Sequence, residues 1–119
     1  MAVILYSMDP DPDEQRLLDR INFTDTEICR SMETLKRRLN DPGDGRRIVI
    51  LFVKDHEEMI RLSQTLELYT DLLLIIVLGQ DCPQTDRIAH RLRPRYTTYR
   101  DGDFRDVALV LQRIIHRYG

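Results

Sequence analysis

Acidic residues that could act together in chemistry follow three apolar runs of the chain. Asp9 and Asp11 come after VILY, Asp55 after RIVILFV and Asp81 after LLLIIVL. Carboxylates that converge suit a hard divalent cation such as Mg²⁺, which takes oxygen ligands and retains several waters. The same acids would cap helices that begin directly after these loops, where they complement the positive end of the helix dipole. Both interpretations are open, and capping accounts for most of the acids without a metal.

A second group of residues with chemical potential is the stretch 87–105, which holds six arginines, two tyrosines and Phe104. Arginine and tyrosine are enriched at protein interfaces, and arginine interleaved with aromatic residues can also bind single-stranded nucleic acid. The net charge of −2 favours a protein interface over nucleic acid, and a merely solvated face is the third interpretation. The predicted interface, which we expect to form a homodimer or to bind a protein partner, comprises Arg93, Arg95, Tyr96, Tyr99 and Arg100.

The remaining reactive side chains show no spacing that indicates a catalytic or cofactor site. Cys29 and Cys82 lack a CxxC pattern, and the three histidines are far apart along the chain. Cys82 lies at a predicted helix N-terminus, a position that lowers the pKa of a thiol, but it is more simply a small residue near a helix cap. No glycine-rich loop follows the first apolar run, which argues against a flavin or a nucleotide. We therefore predict no catalytic residues, no cofactor and no enzyme activity.

Length and composition indicate one soluble domain. The chain has 119 residues, of which 42% are apolar and 32% are charged. Its 18 basic and 20 acidic side chains create no overall field that favours nucleic acid or an anionic membrane. The longest apolar run, Leu72–Leu78, is far shorter than the roughly 20 residues that span a bilayer. We expect a single cytoplasmic domain over residues 1–119, without a membrane segment.

The spacing of apolar residues predicts five strands, each followed by a helix. Helical stripes with apolar residues three and four positions apart separate the apolar runs. Pro12 and Pro83 suit the first turns of the first and fourth helices, and a turn cluster at residues 40–45 ends the second helix. The predicted strands are Val3–Tyr6, Glu27–Cys29 with its neighbours, Arg47–Val53, Leu72–Leu78 and Arg95–Tyr99.

The apolar content of these strands determines their order in the sheet. Central strands of a parallel sheet covered on both faces are continuously apolar, whereas edge strands can stay polar. The first, third and fourth runs are continuously apolar, while TEICR and RYTTY are mixed. The mixed strands are therefore predicted at the edges, which selects the order 2-1-3-4-5 over the dinucleotide-binding order. We predict an α/β fold: a three-layer α/β/α sandwich around a five-stranded parallel sheet.

This strand order also predicts where a site would lie. Ligands of open α/β sheets bind beyond the carboxyl ends of the strands at the point where the strand order reverses, here between the first and third strands. The loops that follow these two strands carry Asp9, Asp11 and Asp55, with Lys54 and His56 nearby. The three acids are expected to approach one another, and they are the candidate ligands if the site holds Mg²⁺.

The whole chain resembles a receiver domain of bacterial two-component response regulators, which has the flavodoxin-like, CheY-like fold. The resemblance rests on the length, the five β-α units, the inferred strand order and the opening ILYSMDPDPDEQRLLDRI, which is similar to that family's first strand, acidic loop and first helix. It implies a role in signalling. In that family, the face made by the fourth helix, fifth strand and fifth helix is the usual surface for dimers and partners.

The motifs with which receivers accept a phosphoryl group are missing. That family carries an acidic pair after the first strand, a phosphoacceptor Asp ending the third, Thr or Ser ending the fourth, and Lys-Pro ending the fifth. Here Ser7 and Met8 stand where the pair would begin, Phe52 stands at the acceptor position, Gly79 ends the fourth strand, and no Lys-Pro follows the fifth. Phe52 cannot act as a nucleophile, and Asp55 would do so only if a bulge turned it into the crevice.

We therefore predict a stand-alone, non-phosphorylatable receiver-like module, or pseudo-receiver, that acts in signalling through protein–protein interaction. The alternative is a Mg²⁺-dependent phosphoacceptor or small-ligand-binding domain that uses the acidic crevice at the carboxyl ends of the strands.

Overall fold

The computed structural model describes residues 3–41 and 46–118 of the chain. Strands and helices alternate throughout. The strands are β1 (Val3–Ser7), β2 (Thr26–Cys29), β3 (Arg47–Phe52), β4 (Leu72–Leu78) and β5 (Tyr96–Tyr99). The helices are α1 (Pro12–Arg20), α2 (Met32–Asn40), α3 (His56–Leu66), α4 (Pro83–Arg91) and α5 (Arg105–Tyr118).

The predicted alternation of five strands and five helices is confirmed. Pro12 and Pro83 occupy the first turns of α1 and α4, where the missing N–H of proline leaves no helical hydrogen bond unmade. α2 ends at Asn40, the first residue of the predicted turn cluster. Residues 42–45 of that cluster lie outside the described residues.

All five strands are parallel and form one sheet in the order β2-β1-β3-β4-β5. The mixed strands are therefore at the edges and the apolar strands are central, as predicted. The register brings Ser7, Phe52 and Val77 side by side at the carboxyl ends of β1, β3 and β4. The chain has the three-layer α/β/α sandwich of flavodoxin-like topology.

Two apolar layers cover the two faces of the sheet. One lies against α2, α3 and α4 and includes Tyr6 and Leu51, and the other lies against α1 and α5 and includes Leu5 and Phe52. Successive residues of one strand contribute to different layers because strand side chains alternate between the two faces. Cys29 lies in the core, since it is 1% exposed.

α1 also bonds to the loop that follows β5. The guanidinium of Arg16 donates hydrogen bonds to the carbonyls of Arg100 and Gly102 at 2.7 and 2.8 Å, and Arg20 donates to the carbonyl of Asp103 at 3.1 Å. These bonds fix the start of the β5–α5 loop beside the carboxyl end of β1. Among the helices of the described ranges, none is both long enough and apolar enough to cross a membrane.

Candidate functional site

The crevice predicted from the strand order lies where β1 and β3 end. Ser7 and Phe52, the last residues of these strands, are register partners and are both buried. The chain continues from them through residues 8–11 into α1 and through residues 53–55 into α3. We call the space between these two loops the crevice.

Phe52, at the position where the receiver resemblance places a phosphoacceptor, belongs to the core. It is 1% exposed, and its ring meets the ring of Phe104 edge-on with the centroids 6.1 Å apart. Aromatic pairs of this kind stabilise a fold by about 0.5–1.5 kcal/mol beyond their burial. β3 therefore ends in a buried aromatic ring that packs within the core.

The guanidinium of Arg100 lies in the crevice. Its central carbon is 4.0 Å from the centroid of the Phe52 ring, its Nη1 donates to Asp11 Oδ2 at 2.7 Å, and its Nε donates to the Val53 carbonyl at 3.3 Å. The side chain is 18% exposed. A cation over an aromatic face and a charge-assisted hydrogen bond are each stronger where water is partly excluded. Arg100, which the sequence assigns to the interface, is thus bound to atoms of its own chain.

Two of the three candidate metal ligands cap helices. Asp11 accepts a hydrogen bond from the backbone N–H of Glu14 at 2.8 Å, and Asp55 accepts one from the N–H of Glu58 at 2.9 Å. Burial alone would raise the pKa of Asp11, but hydrogen bonds from the Glu14 N–H and from Arg100 outweigh it and lower that pKa. The capping interpretation accounts for both residues.

The third candidate, Asp9, faces Lys54 with 3.5 Å between Oδ2 and Nζ, and both side chains are more than half exposed. Asp81 has a different neighbour, the hydroxyl of Tyr99 at 3.5 Å. Within residues 3–41 and 46–118, no three His, Cys, Asp or Glu side chains come together in a way that could hold a metal ion. The acids at this end of the sheet have separate partners.

Two buried glutamates that the sequence analysis missed also stabilise the loops of the crevice. Glu58 is 1% exposed and accepts hydrogen bonds from the backbone N–H of Lys54 at 2.6 Å and from the hydroxyl of Tyr6 at 3.1 Å. Burial, and then the charge of Glu58, raise the pKa of Tyr6 well above its usual range. The carboxylate of Glu58 therefore fixes the end of β3 against β1.

Glu14 is the second of these buried carboxylates, at 4% exposed. It accepts two parallel hydrogen bonds from Arg30 at 2.5 and 3.1 Å, and Arg30 also donates to the Ser7 carbonyl at 3.2 Å. In both α1 and α3 the capping Asp is followed three residues later by the buried Glu, the spacing of a capping box. This repeated Asp-x-x-Glu spacing is the feature of the sequence from which both glutamates could have been identified.

β4 leads into a glycine because no side chain fits there. A Cβ on Gly79 would lie 2.9 Å from the carbonyl oxygen of Lys54. Beside it is a pocket of about 100 Å³ that includes His56, Cys82 and Thr85. His56 Nδ1 is 2.7 Å from Thr85 Oγ1, and hydrogen bonding to Thr85 lowers the pKa of the Cys82 thiol. The predicted location of Cys82 at the start of α4 is confirmed.

The two tyrosines of the predicted interface are half-buried. The hydroxyl of Tyr96 donates to Asp106 at 3.1 Å, and the hydroxyl of Tyr99 donates to Asp86 at 3.0 Å. Their rings pack against the apolar layers on opposite faces of the sheet. Burial, and then the hydrogen bond to Asp86, raise the pKa of Tyr99 to about 12. The exposed members of the predicted interface are the two arginines that precede β5.

A larger cavity opens at the opposite end of the sheet, beside the start of β4. This groove measures about 630 Å³ and contains four arginines, two acids and several apolar side chains. Its charged residues are Arg46, Arg91, Arg93, Arg95, Glu67 and Asp71. We call it the arginine groove. Arg93 has a backbone φ of 53°, in the left-handed region that favours glycine.

Two of these arginines are ordered by an aromatic ring. The guanidinium carbons of Arg46 and Arg95 lie 5.0 and 5.9 Å from the ring centroid of Tyr118, and Arg95 also donates to the Tyr118 hydroxyl at 3.2 Å. Arg117 is 5.5 Å from the same ring. Burial opposes ionisation of this phenol, but the charges of Arg117, Arg95 and Arg46 outweigh it and lower the pKa of Tyr118.

Comparisons with protein-family models, curated proteins and solved structures found no match.

Proposed function

We propose that the chain is a receiver-like signalling module that binds proteins and does not accept a phosphoryl group. The observation that carries this proposal is the position of Arg100, which lies between Asp11 and the ring of Phe52. Transfer of a phosphoryl group to an aspartate needs a carboxylate nucleophile beside a Mg²⁺ ion. In this crevice the nucleophile position is aromatic, and a cation of the chain already neutralises the carboxylate of Asp11.

The contacts of Asp55 also support this proposal. Its carboxylate accepts from the N–H of Glu58 and belongs to the first turn of α3. A bulge that turned Asp55 into the crevice would break this cap and disturb the adjacent hydrogen bond from the Lys54 N–H to Glu58. Both hydrogen bonds oppose the alternative function of a Mg²⁺-dependent phosphoacceptor.

We assign protein binding to the side of the sheet formed by β5, with a homodimer as the expected assembly. Arg93 and Arg95 are exposed there, directly before the half-buried Tyr96 and Tyr99. Arginine and tyrosine combine charge with large contact area, which explains their enrichment where protein interfaces are most tightly packed.

Incubation with acetyl phosphate and Mg²⁺ followed by intact-mass measurement tests the first part of the proposal. We expect no stable gain of about 80 Da, the mass of one phosphoryl group. A known receiver treated in parallel confirms that the donor is active. An adduct that forms on the native chain and disappears in Asp55→Asn would overturn the proposal in favour of the phosphoacceptor.

Light scattering coupled to size exclusion tests the second part. We expect a dimer that Arg93→Glu with Arg95→Glu converts to a monomer, while Arg113→Glu, an exposed substitution on α5, has no effect. A monomer at every concentration of the native chain would overturn the homodimer.

A further inference from the structure

The arginine groove is a positive site on a negative molecule. Four cationic and two anionic side chains line it, whereas the chain as a whole has a net charge of −2. A cleft with an excess of one sign of charge attracts ligands of the opposite sign. The groove therefore favours an anionic occupant over a neutral or cationic one.

Like several exposed arginines elsewhere, the groove arginines pair with no carboxylate of the described residues, but here four of them share one cavity. Arg16, Arg30, Arg38 and Arg100 each form a salt bridge with a carboxylate. In contrast, none of the four groove arginines forms a salt bridge with a carboxylate of the described residues. An arginine has five N–H donors in a planar fork that matches a carboxylate or a phosphate. Donor capacity in the groove is therefore available to a ligand.

Two of the groove arginines are held in place before any ligand binds. Arg46 and Arg95 lie against the ring of Tyr118, so their guanidinium groups lose less freedom when a ligand binds. Arg93 holds a left-handed backbone conformation that costs an L-residue free energy, and it has no intramolecular ion pair among the described residues to offset that cost. The same conformation ends α4, since the Arg93 N–H donates to the His90 carbonyl at 3.0 Å.

Apolar side chains occupy the rest of the wall. Tyr69, Leu72 and Leu92 line the groove between its arginines. A smaller groove shares residues 69–72 with it and includes Leu68, which at 81% exposed is by far the most exposed large apolar residue of the described chain. An occupant that satisfies the whole surface needs apolar groups as well as negative charge.

We propose that the arginine groove binds an acidic peptide segment of a partner protein, in which carboxylates flank at least one apolar side chain. This proposal rests on the protein-binding role proposed above and specifies the chemistry of the partner. A nucleic acid fits less well, because its evenly spaced phosphates would meet Glu67 and Asp71 as well as the arginines. A peptide can place a neutral or apolar residue opposite those two acids.

Fluorescence anisotropy with a labelled peptide of about ten residues, in which Asp or Glu alternates with Leu, tests the proposal on the full chain. We expect saturable binding that weakens at least tenfold in Arg91→Gln with Arg93→Gln. Arg113→Gln removes one exposed charge from α5, outside the groove, and is expected to leave the affinity unchanged. Equal melting temperatures of the three proteins show that the fold is intact.

Two further peptides separate charge from apolar contact. Replacing the acids by Lys is expected to abolish binding, and replacing each Leu by Ser is expected to weaken it several-fold. No binding of the acidic peptide, equal binding of the Lys peptide, or an unchanged affinity in the double variant would each overturn the proposal. Tighter binding of a single-stranded oligonucleotide at the same site would replace it with a nucleic-acid site.

Failure of this experiment is distinguishable from failure of the proposed function. A peptide that does not bind leaves the mass measurement with acetyl phosphate intact. Arg93 and Arg95 line the groove and also belong to the proposed dimer surface, so the peptide and a second copy of the chain compete, and peptide binding is measured at chain concentrations where light scattering records the monomer. Conversely, a phosphoryl adduct on Asp55 would remove the non-phosphorylatable character of the module without altering the affinity of the groove for the peptide.

Discussion

At the carboxyl end of the sheet, Arg100 is bound to Asp11 and to the ring of Phe52, whereas at the amino end Arg91 and Arg93 contact no carboxylate of the described residues within salt-bridge distance. Both ends carry charged side chains on loops of similar length. The difference is that charges are neutralised within the chain at the first end and left available at the second.

We infer from this difference that the carboxyl end serves the fold and that the amino end is the one for which we propose binding. Charged groups that are desolvated and paired, such as Glu14 with Arg30, strongly destabilise a protein when one partner is removed. Exposed charges without partners contribute little to stability. Substitutions at the crevice should therefore reduce stability, and substitutions at the arginine groove should reduce binding.

The largest expected effect is that of Glu58→Ala. It leaves the partly buried Lys54 N–H and the buried Tyr6 hydroxyl without their acceptor, and an unsatisfied buried donor costs about 1–3 kcal/mol. We expect the free energy of unfolding in urea to fall by about 3 kcal/mol. Glu57→Ala, an exposed neighbour in the same turn, should change it by less than about 0.5 kcal/mol. Similar losses in the two variants would contradict the role assigned to the buried carboxylate.

The next effect is that of Arg100→Ala, which removes the cation from the crevice. We expect a loss of about 2 kcal/mol, because a charge-assisted hydrogen bond and a cation–π contact disappear together. The lowered pKa of Asp11 should rise toward its ordinary value. A carboxyl group whose pKa is lowered by folding stabilises the protein above its ordinary pKa, and this stability is lost as the pH falls. The variant lacks this contribution, so its free energy of unfolding should fall less between neutral and acidic pH.

Urea unfolding at pH 7 and at about pH 3 measures both parts of this prediction. Arg113→Ala provides the control for removal of an exposed arginine. Unchanged stability of Arg100→Ala at both values of pH would show that the crevice cation is dispensable and would remove the contrast between the two ends.

A smaller loss is expected from Asp55→Ala. The substitution removes the side-chain acceptor at the start of α3, and loss of a helix cap costs about 1 kcal/mol. Asp55→Ser, which keeps a capping oxygen but no carboxylate, should recover most of the loss in the same thermal melt. An equal loss in both variants would show that the charge of Asp55 matters beyond its cap.

The two ends should also differ in how their tyrosines titrate. The pKa of Tyr99 is raised to about 12, first by burial and then by Asp86, while arginines lower the pKa of Tyr118 against the effect of its burial. Absorbance at 295 nm should therefore record Tyr118 as ionising before Tyr99, with Tyr118→Phe and Tyr99→Phe identifying the two steps. Ionisation of both tyrosines at the same pH would contradict the opposite electrostatic effects assigned to the two ends.

The raised pKa of Tyr99 also makes the stability of the fold depend on pH. An unfolded tyrosine loses its proton near pH 10, whereas the folded phenol keeps it up to about pH 12. Stability attributable to Tyr99 is therefore present below pH 10 and is lost as pH rises toward 12. This contribution should be smaller than that of the helix cap at Asp55, because water reaches the half-buried hydroxyl and screens its interaction with Asp86.

The smallest expected effect is a gain. Arg93→Gly places glycine where φ is 53°, and relief of this conformation should raise the melting temperature by the equivalent of about 0.5 kcal/mol. The same variant should bind the acidic peptide more weakly. A drop in melting temperature would mean that the Arg93 side chain stabilises the fold after all.

The fold was predictable because the composition of a whole strand shows whether it is buried on one face or on both. RIVILFV and LLLIIVL are apolar at nearly every position. Such runs are typical of strands whose two faces are both covered. β2 and β5, with their mixed composition, were therefore assigned to the edges without knowledge of any contact. Helix caps at Asp11 and Asp55 were likewise readable, since capping depends on residues three positions apart.

The partner of Arg100 was not predictable in this way. Its position beside Tyr99 placed it with the interface residues, but its side chain direction depends on the loop that Arg16 fixes from α1. The arginine groove likewise combines Arg46 with the stretch from Arg91 to Arg95, which only the sheet brings together. Contacts between such distant positions depend on side-chain geometry that apolar spacing does not specify.

The bonds from Arg16 to the β5–α5 loop join residues that are 84 and 86 positions apart, and the ion pair between Asp11 and Arg100 spans 89. Neighbouring strands of the sheet can pair as soon as their own units exist, but these contacts require almost the entire chain. During synthesis Asp11 and the ring of Phe52 therefore remain without their cation until the fifth unit emerges. The crevice is therefore completed only after the fifth strand and the residue that follows it have been made.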